Sequence, residues 1–507
     1  MQNKKLDILF IHPNASDIIY QDLSKNAAAI EPPIWAAMLA NSTKLAGFAC
    51  EILDCEVLKF SFVKSAEQIN DINPRVACFV VYGQQPSASA QNMIGATEVA
   101  KLLKQLNSSI KILFVGGYVA ALPKKTMEDE ESIDFVCLNE GVYSIQNILK
   151  TQKLNDDSSL KKINGIAFRD SDNKIVINSA EKIVPKEALS SHLPGIDWSM
   201  LPSFKDYRTA GWHSWTNNSE TSPFAALYTS LGCPYKCSFC MINIINRTNN
   251  DPNISSQDSN VFRWWQPEFI IKQFEYFAEN NVKNIKIADE LFVLNPNHFI
   301  KICDMIIERG YDFNIWAYSR IDTAKPQYLE KLRKAGVKWL GLGIENPNDV
   351  IRKEIHKGAF QEVNIMSVIK EMQNHDINVA ANYIFGLPNE TEETMKSVLD
   401  FAMEANTEMV NFYCAMAYPG SPLYLQAVEK HIELPPNYSG YSQHSYDTLN
   451  LPSENLTSNQ ILKFRDYAWN KYHTNESYLN LLQNKFGTNA VQNLKKTTAI
   501  KLKRKNA

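Results

Sequence analysis

Short apolar runs alternate with segments of helical periodicity along the first 150 residues of the chain. Runs such as LDILFI, VACFVVYG and KILFVGG are rich in Val, Ile and Phe, which is typical of strands buried on both faces of a sheet. Helical patterns separate them, for instance PPIWAAMLANSTKLAG and the stretch from Ala90 to Leu106. This alternation predicts an α/β fold in which residues 1–150 form an open parallel sheet with helices on both faces.

The same alternation resumes after a mixed connector, residues 151–220, in which NGIAFRDSDNKIVIN predicts a hairpin that turns at 171–173. The apolar strand candidates are 225–230, 283–288, 313–318, 337–344, 379–385 and 410–417. Helical patterns lie between them, at 267–280, 295–309, 325–335, 361–375 and 391–405. A complete barrel of this type has eight β–α units. Six units predict a partial, open (β/α)6 barrel over 221–425, followed by a small helical C-terminal region over 426–507.

Composition narrows the class of protein only a little. The 507 residues are 45% hydrophobic and carry a net charge of −3, which fits a globular protein with a large core and does not suggest nucleic-acid binding. No stretch approaches the roughly 18 apolar residues of a membrane span. We therefore expect a cytoplasmic protein with reduced thiols. A locally basic tail predicts a solvated, frayed end, with RNA or membrane contact as the alternative, and comprises Lys495, Lys496, Lys501, Lys503, Arg504 and Lys505.

Three of the nine cysteines fall inside GCPYKCSFC, at Cys233, Cys237 and Cys240. They follow the first strand of the second series directly, so we expect them in a βα loop at the carboxyl-end rim, where such barrels carry their chemistry. A structural zinc site needs four ligands, and the next cysteine is Cys303. A 4Fe-4S cluster held by three thiolates leaves one iron open to a chelating ligand. The spacing favours that cluster over the alternatives, zinc or three unligated cysteines.

The CxxxCxxC pattern after the first strand of a six-unit series resembles the radical S-adenosylmethionine (radical SAM) superfamily. The resemblance implies that the three cysteines ligate the cluster and that its open iron binds the amino and carboxylate groups of S-adenosylmethionine. Reductive cleavage would then yield a 5'-deoxyadenosyl radical, with an external electron donor such as flavodoxin or ferredoxin. Phe239 matches the aromatic residue that usually precedes the third cysteine.

Further segments of the superfamily pattern follow at the later strand ends. They are IADELFVLN (287–295), IWAYSRID (315–322), GLGIENPND (341–349), YIFGLPNET (383–391) and YPGSPLY (418–424). The contacts to S-adenosylmethionine that they imply come from Asp289, Glu290, Ser319, Arg320 and Glu345. Asn346 stands where serine is usual. The alternative role for the carboxylates is an ion pair at the barrel rim.

The first domain resembles the cobalamin-binding, flavodoxin-like Rossmann domain that precedes some of these barrels. The matching segments, in order, are 32–54, 80–88, 116–123 and 134–141. The corrin contacts that the resemblance implies come from Tyr82, Gly83, Gln84, Gly116, Gly117, Tyr118 and Glu140. The DxHxxG motif, whose histidine ligates cobalt, is absent, because His12 is followed by Pro-Asn-Ala-Ser. Asn139 also replaces the first glycine of the usual GEG, so a domain that has lost cobalamin is the alternative.

Together the two resemblances imply a cobalamin-dependent radical SAM methyltransferase that acts on an unactivated carbon through a 5'-deoxyadenosyl radical and methylcobalamin. The alternative is a radical SAM enzyme of another reaction type, an oxidative cyclase or a rearrangement, with or without cobalamin. Methylthiolation is disfavoured, because no second three-cysteine cluster is present. A non-enzymatic sensor would not need the motifs at the fifth and sixth strands. We expect a small-molecule substrate, such as a sugar, a lipid, a tetrapyrrole or a secondary metabolite.

One loop after the sixth strand offers candidates for acid–base work or for the substrate wall. GYSQHSYD (440–447) carries Tyr441, His444 and Tyr446, whose phenols and imidazole suit either role. Ordinary surface or core contacts are the alternative. Trp212, His213 and Trp215 are expected to belong to the same wall.

Overall fold

A computed structural model describes residues 6–82, 88–249, 251, 254–357 and 363–506. Within them the chain forms two large α/β layers and a helical C-terminal region, as the sequence predicts. The first sheet has seven strands in the order β2-β1-β3-β4-β5-β6-β7. Their bounds are β1 Ile8–His12, β2 Cys50–Asp54, β3 Val76–Val80, β4 Lys111–Val115, β5 Phe135–Cys137, β6 Ile166–Arg169 and β7 Ile175–Ile177.

Strands β1 to β5 are mutually parallel, whereas β6 and β7 are the predicted hairpin and add antiparallel to β5. Helices cover both faces of the sheet. Alternate residues of β1 accordingly pack into different cores: Ile8 and Phe10 belong to one hydrophobic cluster, and Leu9 and Ile11 belong to another. The helices are α1 Ser16–Tyr20, α2 Leu23–Asn26, α3 Ile34–Leu45, α4 Phe62–Ile72, α5 Ala88–Leu106, α6 Gly117–Ala121, α7 Pro123–Asp129, α8 Val142–Lys150, α9 Asp157–Leu160 and α10 Leu189–His192.

The second large sheet has six parallel strands in the order β8-β11-β12-β13-β14-β15. Its strands are β8 Phe224–Leu227, β11 Asn284–Ile287, β12 Asn314–Arg320, β13 Val337–Glu345, β14 Asn378–Phe385 and β15 Met409–Cys414. A short antiparallel pair, β9 Ser230–Leu231 and β10 Arg263–Trp264, lies beside it. Strands β8 and β15 are the two edges and do not pair with each other. The sheet is therefore the open, six-unit barrel that the sequence predicts.

Helices follow the barrel strands at the expected places. Helix α11 Gly211–Ser214 precedes the barrel, and the others are α12 Pro267–Glu279, α13 Pro296–Glu308, α14 Pro326–Lys334, α15 Asp349–Glu354, α16 Ile365–Asn374, α17 Glu392–Ala405 and α18 Pro422–Glu429. Each of the amphipathic helices α12, α13, α14, α16 and α17 buries an apolar face. In a β/α barrel this leaves the loops at the carboxyl ends of the strands free for a site.

The C-terminal helices cover the open edge of the barrel at β15. They are α19 Ser458–His473, α20 Glu476–Phe486 and α21 Thr488–Thr498. Arg465 Nε donates to the carbonyl of Phe412 over 2.9 Å, and the amide of Gln443 pairs with both the N–H and the carbonyl of Cys414 at 2.9 Å each. These contacts satisfy backbone groups that an edge strand would otherwise leave unpaired.

The basic tail is not the frayed end that its composition predicts. We call residues 499–506 the C-terminal strap. Arg504 donates to the carboxylate of Asp466 at 2.9 Å and to the carbonyls of Gln443 and Ser445 at 2.9 and 3.2 Å. Further along, Lys503 exchanges two hydrogen bonds with the side chain of Gln21. Charge composition alone missed this, because the partners are a carboxylate and backbone groups far away in sequence.

Two ion pairs join the first sheet's domain to the barrel. Glu140, after β5, pairs with Arg263 of β10 at 2.7 Å, and both side chains are buried. Lys286 of β11 pairs with Glu31, which precedes α3, at 2.9 Å. None of the helices in the described ranges is long and apolar enough to cross a bilayer.

Candidate active site

A cavity of about 1610 Å³ lies between the two domains. Residues from the carboxyl end of the first sheet, from the barrel strands and their loops, and from the C-terminal helices line it. Pockets for a single small ligand have volumes of roughly 300–1,000 Å³. The cavity therefore has room for more than one bound molecule.

The three cysteines of the candidate cluster all line this cavity. Their loop is fixed by its own backbone: the side-chain amide of Asn243 donates to the carbonyl of Cys233 at 2.7 Å, and its oxygen accepts from the N–H of Cys233 at 3.2 Å. Gly232 has φ +85°, and a Cβ there would lie 2.1 Å from the carbonyl oxygen of Val261. Only glycine fits at that turn, so the loop leaves β9 in one direction.

Burial and nearby cations have opposite effects on the three thiols of the loop. Burial raises the pKa of Cys233 to about 12 and raises the pKa of Cys237 and Cys240 as well. At Cys237, the cations Lys357 and Arg320 oppose this effect and favour the thiolate, which is the form that binds metal.

No three His, Cys, Asp or Glu side chains of the described chain converge tightly enough to hold a single metal ion. A 4Fe-4S cluster is bound differently, because each thiolate ligates its own iron. Three thiols spread around one cavity wall fit that donor set.

Asp289 and Glu290, at the end of β11, line the cavity beside the cysteines. Asp289 is fully buried and accepts hydrogen bonds from the N–H of Thr229 at 2.6 Å and from the hydroxyls of Thr229 and Ser230 at 2.5 and 2.6 Å. Burial raises its pKa to about 6. Glu290 accepts from the N–H of Gly232 at 3.1 Å, and burial raises its pKa to about 8. Asp289 therefore organises the end of β8, whereas Glu290 has more capacity left for a ligand.

Ser319, Arg320, Glu345 and Phe239 also line the cavity, as the sequence motifs predict. Glu345 is not a free carboxylate: Lys357 Nζ donates to it at 2.7 Å, and both side chains are nearly buried. This is the rim ion pair that was the alternative role, and it lies next to Cys237.

Arg320 is held by several neighbours, among them the carbonyl of Lys357, to which its guanidinium donates. Its Nε donates to Asp322 at 2.9 Å, and its guanidinium lies 3.6 Å from the centroid of the Tyr235 ring. Sequence reasoning missed both Lys357 and Tyr235. Tyr235 lies inside the cysteine motif, but nothing in the local pattern indicated its contact with Arg320.

The carboxyl end of the first sheet faces the cysteine loop across the cavity. The chain crosses from one side of the sheet to the other between β2 and β3, so β1 and β3 flank the switch point at which such sheets bind ligands. His12 and Tyr82 come from these two strand ends and line the cavity. Trp35 of α3 contacts both Tyr82 and Tyr228 of the barrel, with ring-centroid distances of 5.2 and 6.4 Å, and Cys240 lies within electrostatic range of Tyr82. The two domains thus open on one shared space.

His12 has a defined partner on the side away from the cavity. Its Nδ1 lies 3.0 Å from Asp54, whose other oxygen accepts from the hydroxyl of Tyr207 at 3.0 Å. Asp54 therefore fixes the orientation of the imidazole.

The other expected corrin contacts are placed differently. Gly83 and Gln84 lie outside the described residues. A Cβ at Gly116 would lie 2.0 Å from the carbonyl oxygen of Val81, and one at Gly117 would lie 2.8 Å from Met241. Protein packing therefore explains both glycines, and neither lines the cavity.

Tyr118 and Glu140 are also away from the cavity. Tyr118 packs edge-on against Tyr438 and Tyr441, and Glu140 pairs with Arg263. Each of them thus has a protein partner away from the cavity that Tyr82 lines, and a contact of either residue with a corrin stays a prediction.

The loop 440–447 contributes one of its three candidates. His444 lines the cavity, and Tyr20 and Arg465 contact its ring. Tyr441 is buried in the hydrophobic core of the first domain, and the Tyr446 side chain is 51% exposed. The three do not form one constellation, because the loop points them in different directions.

Of the three aromatic residues before the barrel that we expect in the cavity wall, two lie there. Trp212 and Trp215 line the cavity, whereas His213 is buried and is hydrogen-bonded to Thr209 and to the carbonyl of Asn314. Burial lowers the pKa of His213 to about 3, so it stays neutral in the core.

Two family profiles match this chain. The B12 binding domain matches residues 20–149, and the radical SAM superfamily matches residues 227–402. The first covers strands β2 to β5 of the first sheet, and the second covers the cysteine loop and most of the barrel.

Whole-length comparisons agree with this pairing. A protein named an uncharacterized methyltransferase, from Pyrococcus horikoshii, is 24% identical over 93% of both chains. An anaerobic magnesium-protoporphyrin IX monomethyl ester cyclase from Cereibacter sphaeroides is 23% identical over 92% of this chain and 69% of its own length. The structure of the radical S-adenosylmethionine methyltransferase TsrM from Kitasatospora setae, with cobalamin and a [4Fe-4S] cluster bound, superposes with a TM-score of 0.63. It is 15% identical and covers 85% of this chain and 80% of its own.

Proposed function

The chain belongs to the cobalamin-binding radical SAM enzymes, and from that premise we propose that it is a cobalamin-dependent methyltransferase acting on an unactivated carbon. When bound, S-adenosylmethionine and the cluster supply a 5'-deoxyadenosyl radical, and cobalamin supplies the methyl group. Everything else that the reaction requires falls to the protein: binding, orientation and exclusion of water.

One observation carries the proposal. The switch-point edge of the first sheet and the three cysteines open on the same cavity, and Trp35 of the first domain contacts both Tyr82 on one wall and Tyr228 on the other. A methyl carrier and a radical source must both reach one carbon atom of the substrate. A cavity shared by the two domains satisfies that requirement, whereas two separate pockets would not.

The proposed roles follow from position. Cys233, Cys237 and Cys240 are the cluster ligands, with Phe239 packed beside them. Glu290 is the acceptor for the amino group of S-adenosylmethionine, and Asp289 positions the strand end next to it.

At the ends of β12 and β13, Ser319 and Arg320 would offer donors to a carboxylate or ribose, and Lys357 keeps Glu345 in place. The guanidinium of Arg320 is a permanent cation, so it suits the carboxylate. His12 and Tyr82 belong to the face of the first sheet that would meet the corrin, and His444 belongs to the substrate wall.

We also propose the division of the chain at about residues 150, 220 and 425, and an external one-electron donor such as flavodoxin or ferredoxin. The substrate is a small molecule, since the cavity is enclosed between the two domains and the C-terminal helices.

Anaerobic product analysis tests the proposal. The full chain, reconstituted with iron, sulfide and hydroxocobalamin, is desalted and given reductant and S-adenosylmethionine. We expect a retained corrin band and both S-adenosylhomocysteine and 5'-deoxyadenosine. Formation of 5'-deoxyadenosine without S-adenosylhomocysteine would contradict methyl transfer. It would favour the alternative, oxidative cyclisation or rearrangement. A magnesium-protoporphyrin IX monomethyl ester cyclase is among the similar proteins, which makes that alternative a concrete second candidate.

Matched cysteine variants serve as controls. Cys240→Ala should abolish deoxyadenosine formation, since it removes a proposed ligand. Cys303→Ala removes a buried thiol of α13 that does not line the cavity, and it should leave both products unchanged. Equal loss in the two variants would mean that misfolding, not the cluster, limits activity.

A further inference from the structure

Six cationic side chains of the described residues line the cavity, and four of them are neutralised. The pairs, at 2.7 to 2.9 Å, are Lys286 with Glu31, Arg320 with Asp322, Lys357 with Glu345 and Arg465 with Asp466. The other two are Lys496 and Lys501. Neither has an ion pair or a side-chain hydrogen bond within the described parts of the chain, and both are exposed at the rim.

The carboxylates that line the cavity leave the two lysines without a counter-ion. Asp466, the acidic group on the neighbouring helix α19, is already bound by Arg465 and Arg504. Glu56, on the side of the first sheet, accepts from the hydroxyl of Ser16 and faces His12. The rim formed by α21 and the C-terminal strap is therefore cationic, and no carboxylate of the described residues pairs with its two lysines.

The wall around these lysines combines apolar side chains with polar ones, the latter being Asn470, His473, Asn493, Thr497 and Thr498. Trp469 of α19, Leu494 of α21, and Ile500 and Leu502 of the strap line the cavity beside them. Trp212 and Trp215, before the barrel, line the same cavity. These side chains offer an apolar contact surface to a ligand whose charged group lies at the rim.

The strap is held firmly enough to act as a wall. Besides the bonds of Arg504, the N–H of Lys505 donates to the carbonyl of Tyr446 at 2.9 Å, and the side chain of Asn506 donates to the carbonyl of Thr448 at 3.0 Å. Arg504 itself is nearly buried. The positions of Lys496 and Lys501 are thus set by the fold on both sides of the rim.

We propose that the substrate is an amphipathic anion. Its carboxylate or phosphate binds Lys496 and Lys501 at the rim, and its apolar body extends over Trp469 and Leu502 toward the cysteine loop. The lysines determine specificity and take no part in the chemistry. The assignment of this cavity as the substrate site rests on the proposed function, but the recognition of an amphipathic anion does not require turnover.

Matched fluorescent probes test the proposal by equilibrium binding. The three probes are 1-pyrenebutyrate, the phosphate monoester of 1-pyrenebutanol, and 1-pyrenebutanol itself, which share one apolar body and differ in charge. They are titrated into the full chain, both before and after reconstitution with cluster and hydroxocobalamin. The variants are K496Q/K501Q and, as the matched control, K495Q/K503Q, whose lysines are equally exposed and near in sequence but do not line the cavity.

We expect the double variant K496Q/K501Q to bind the two anionic probes on the order of fivefold more weakly, the scale of two exposed ion pairs. Binding of the alcohol should not change, and the control variant should behave as wild type. The anion that loses more affinity identifies carboxylate or phosphate as the preferred group.

Unchanged anion binding in K496Q/K501Q would overturn the proposal, since the two lysines would then not contact the anion. An equal loss in K495Q/K503Q would also overturn it, since diffuse positive charge would then explain the binding. A chain that binds the probes as expected but forms no methyl-transfer products would refute the proposed function alone.

Discussion

The buried pair Glu140–Arg263 gives a quantitative test of how the two domains are joined. Both side chains are almost fully buried, and their charged atoms are 2.7 Å apart. The same groups also bind both backbone polar groups of one residue: the N–H of Val184 donates to Glu140 at 2.6 Å, and Arg263 donates to the carbonyl of Val184 at 2.5 Å. Glu140→Gln keeps an acceptor for Val184 but leaves the guanidinium without a counter-charge.

Removing one partner of a buried ion pair costs about 3–5 kcal/mol, because the remaining charge is uncompensated. We therefore expect that loss for E140Q. In E140Q/R263M both charges are gone, so we expect the double variant to be more stable than E140Q by about 2 kcal/mol or more. The assay is urea unfolding of the cluster-free chain, followed by far-UV circular dichroism, with the free energy taken from the first transition.

A matched control uses the exposed pair Lys396–Glu392, whose side chains are about 60% accessible. Glu392→Gln should leave the transition unchanged. The reasoning is refuted if E140Q/R263M is as unstable as the sum of E140Q and R263M, since independent losses would mean that the two charges do not stabilise each other.

Three further predictions concern the cavity and its surroundings. Burial raises the pKa of Glu290 from 4.5 to about 8, so the cluster-free protein should lose stability as pH rises from about 4.5 to about 8, and Glu290→Gln should flatten that profile in pH-dependent urea unfolding; an unaltered profile would contradict the shift. Gly116→Ala should lower the free energy of unfolding by about 3 kcal/mol or more, because its Cβ would meet Val81, whereas Gly47→Ala, with open space at φ +91°, should lower it by only about 1 kcal/mol. Equal losses of stability in thermal unfolding would refute the packing account. Arg504→Ala should speed tryptic cleavage within residues 495–505 by about tenfold, because it releases the strap. Arg309→Ala, which removes an exposed ion pair, should leave that cleavage rate unchanged, and equal rates in the two variants would show that Arg504 does not hold the strap.

Much of the architecture could be predicted because its signals are local. Each buried strand is a short apolar run, and each helix repeats its apolar positions with its own period, so the order of the elements can be inferred from neighbouring residues. The cysteine loop followed from the same logic, since Cys233, Cys237 and Cys240 come directly after β8 and β9.

The contacts that cross the fold could not be predicted in this way. Lys357 pairs with Glu345 and lies near Cys237, although it belongs to another segment. Glu140 pairs with Arg263, which is 123 residues away in sequence. Gly116 has a glycine-compatible turn, but nothing local indicates whether a ligand or Val81 requires it. The basic tail likewise predicted solvation, because the partner of Arg504 lies on α19.

The central claim is that cluster and corrin share one cavity, and a paramagnetic measurement tests it most directly. The reconstituted chain is prepared with cobalamin in its cob(II)alamin form, and the relaxation of that electron spin is measured before and after reduction of the cluster. We predict faster relaxation on reduction in wild type, because two spins in one cavity couple through space, and no change in Cys240→Ala. The account would be contradicted if the cob(II)alamin relaxation rate in wild type were the same with the oxidised and the reduced cluster, or if the corrin were lost on desalting.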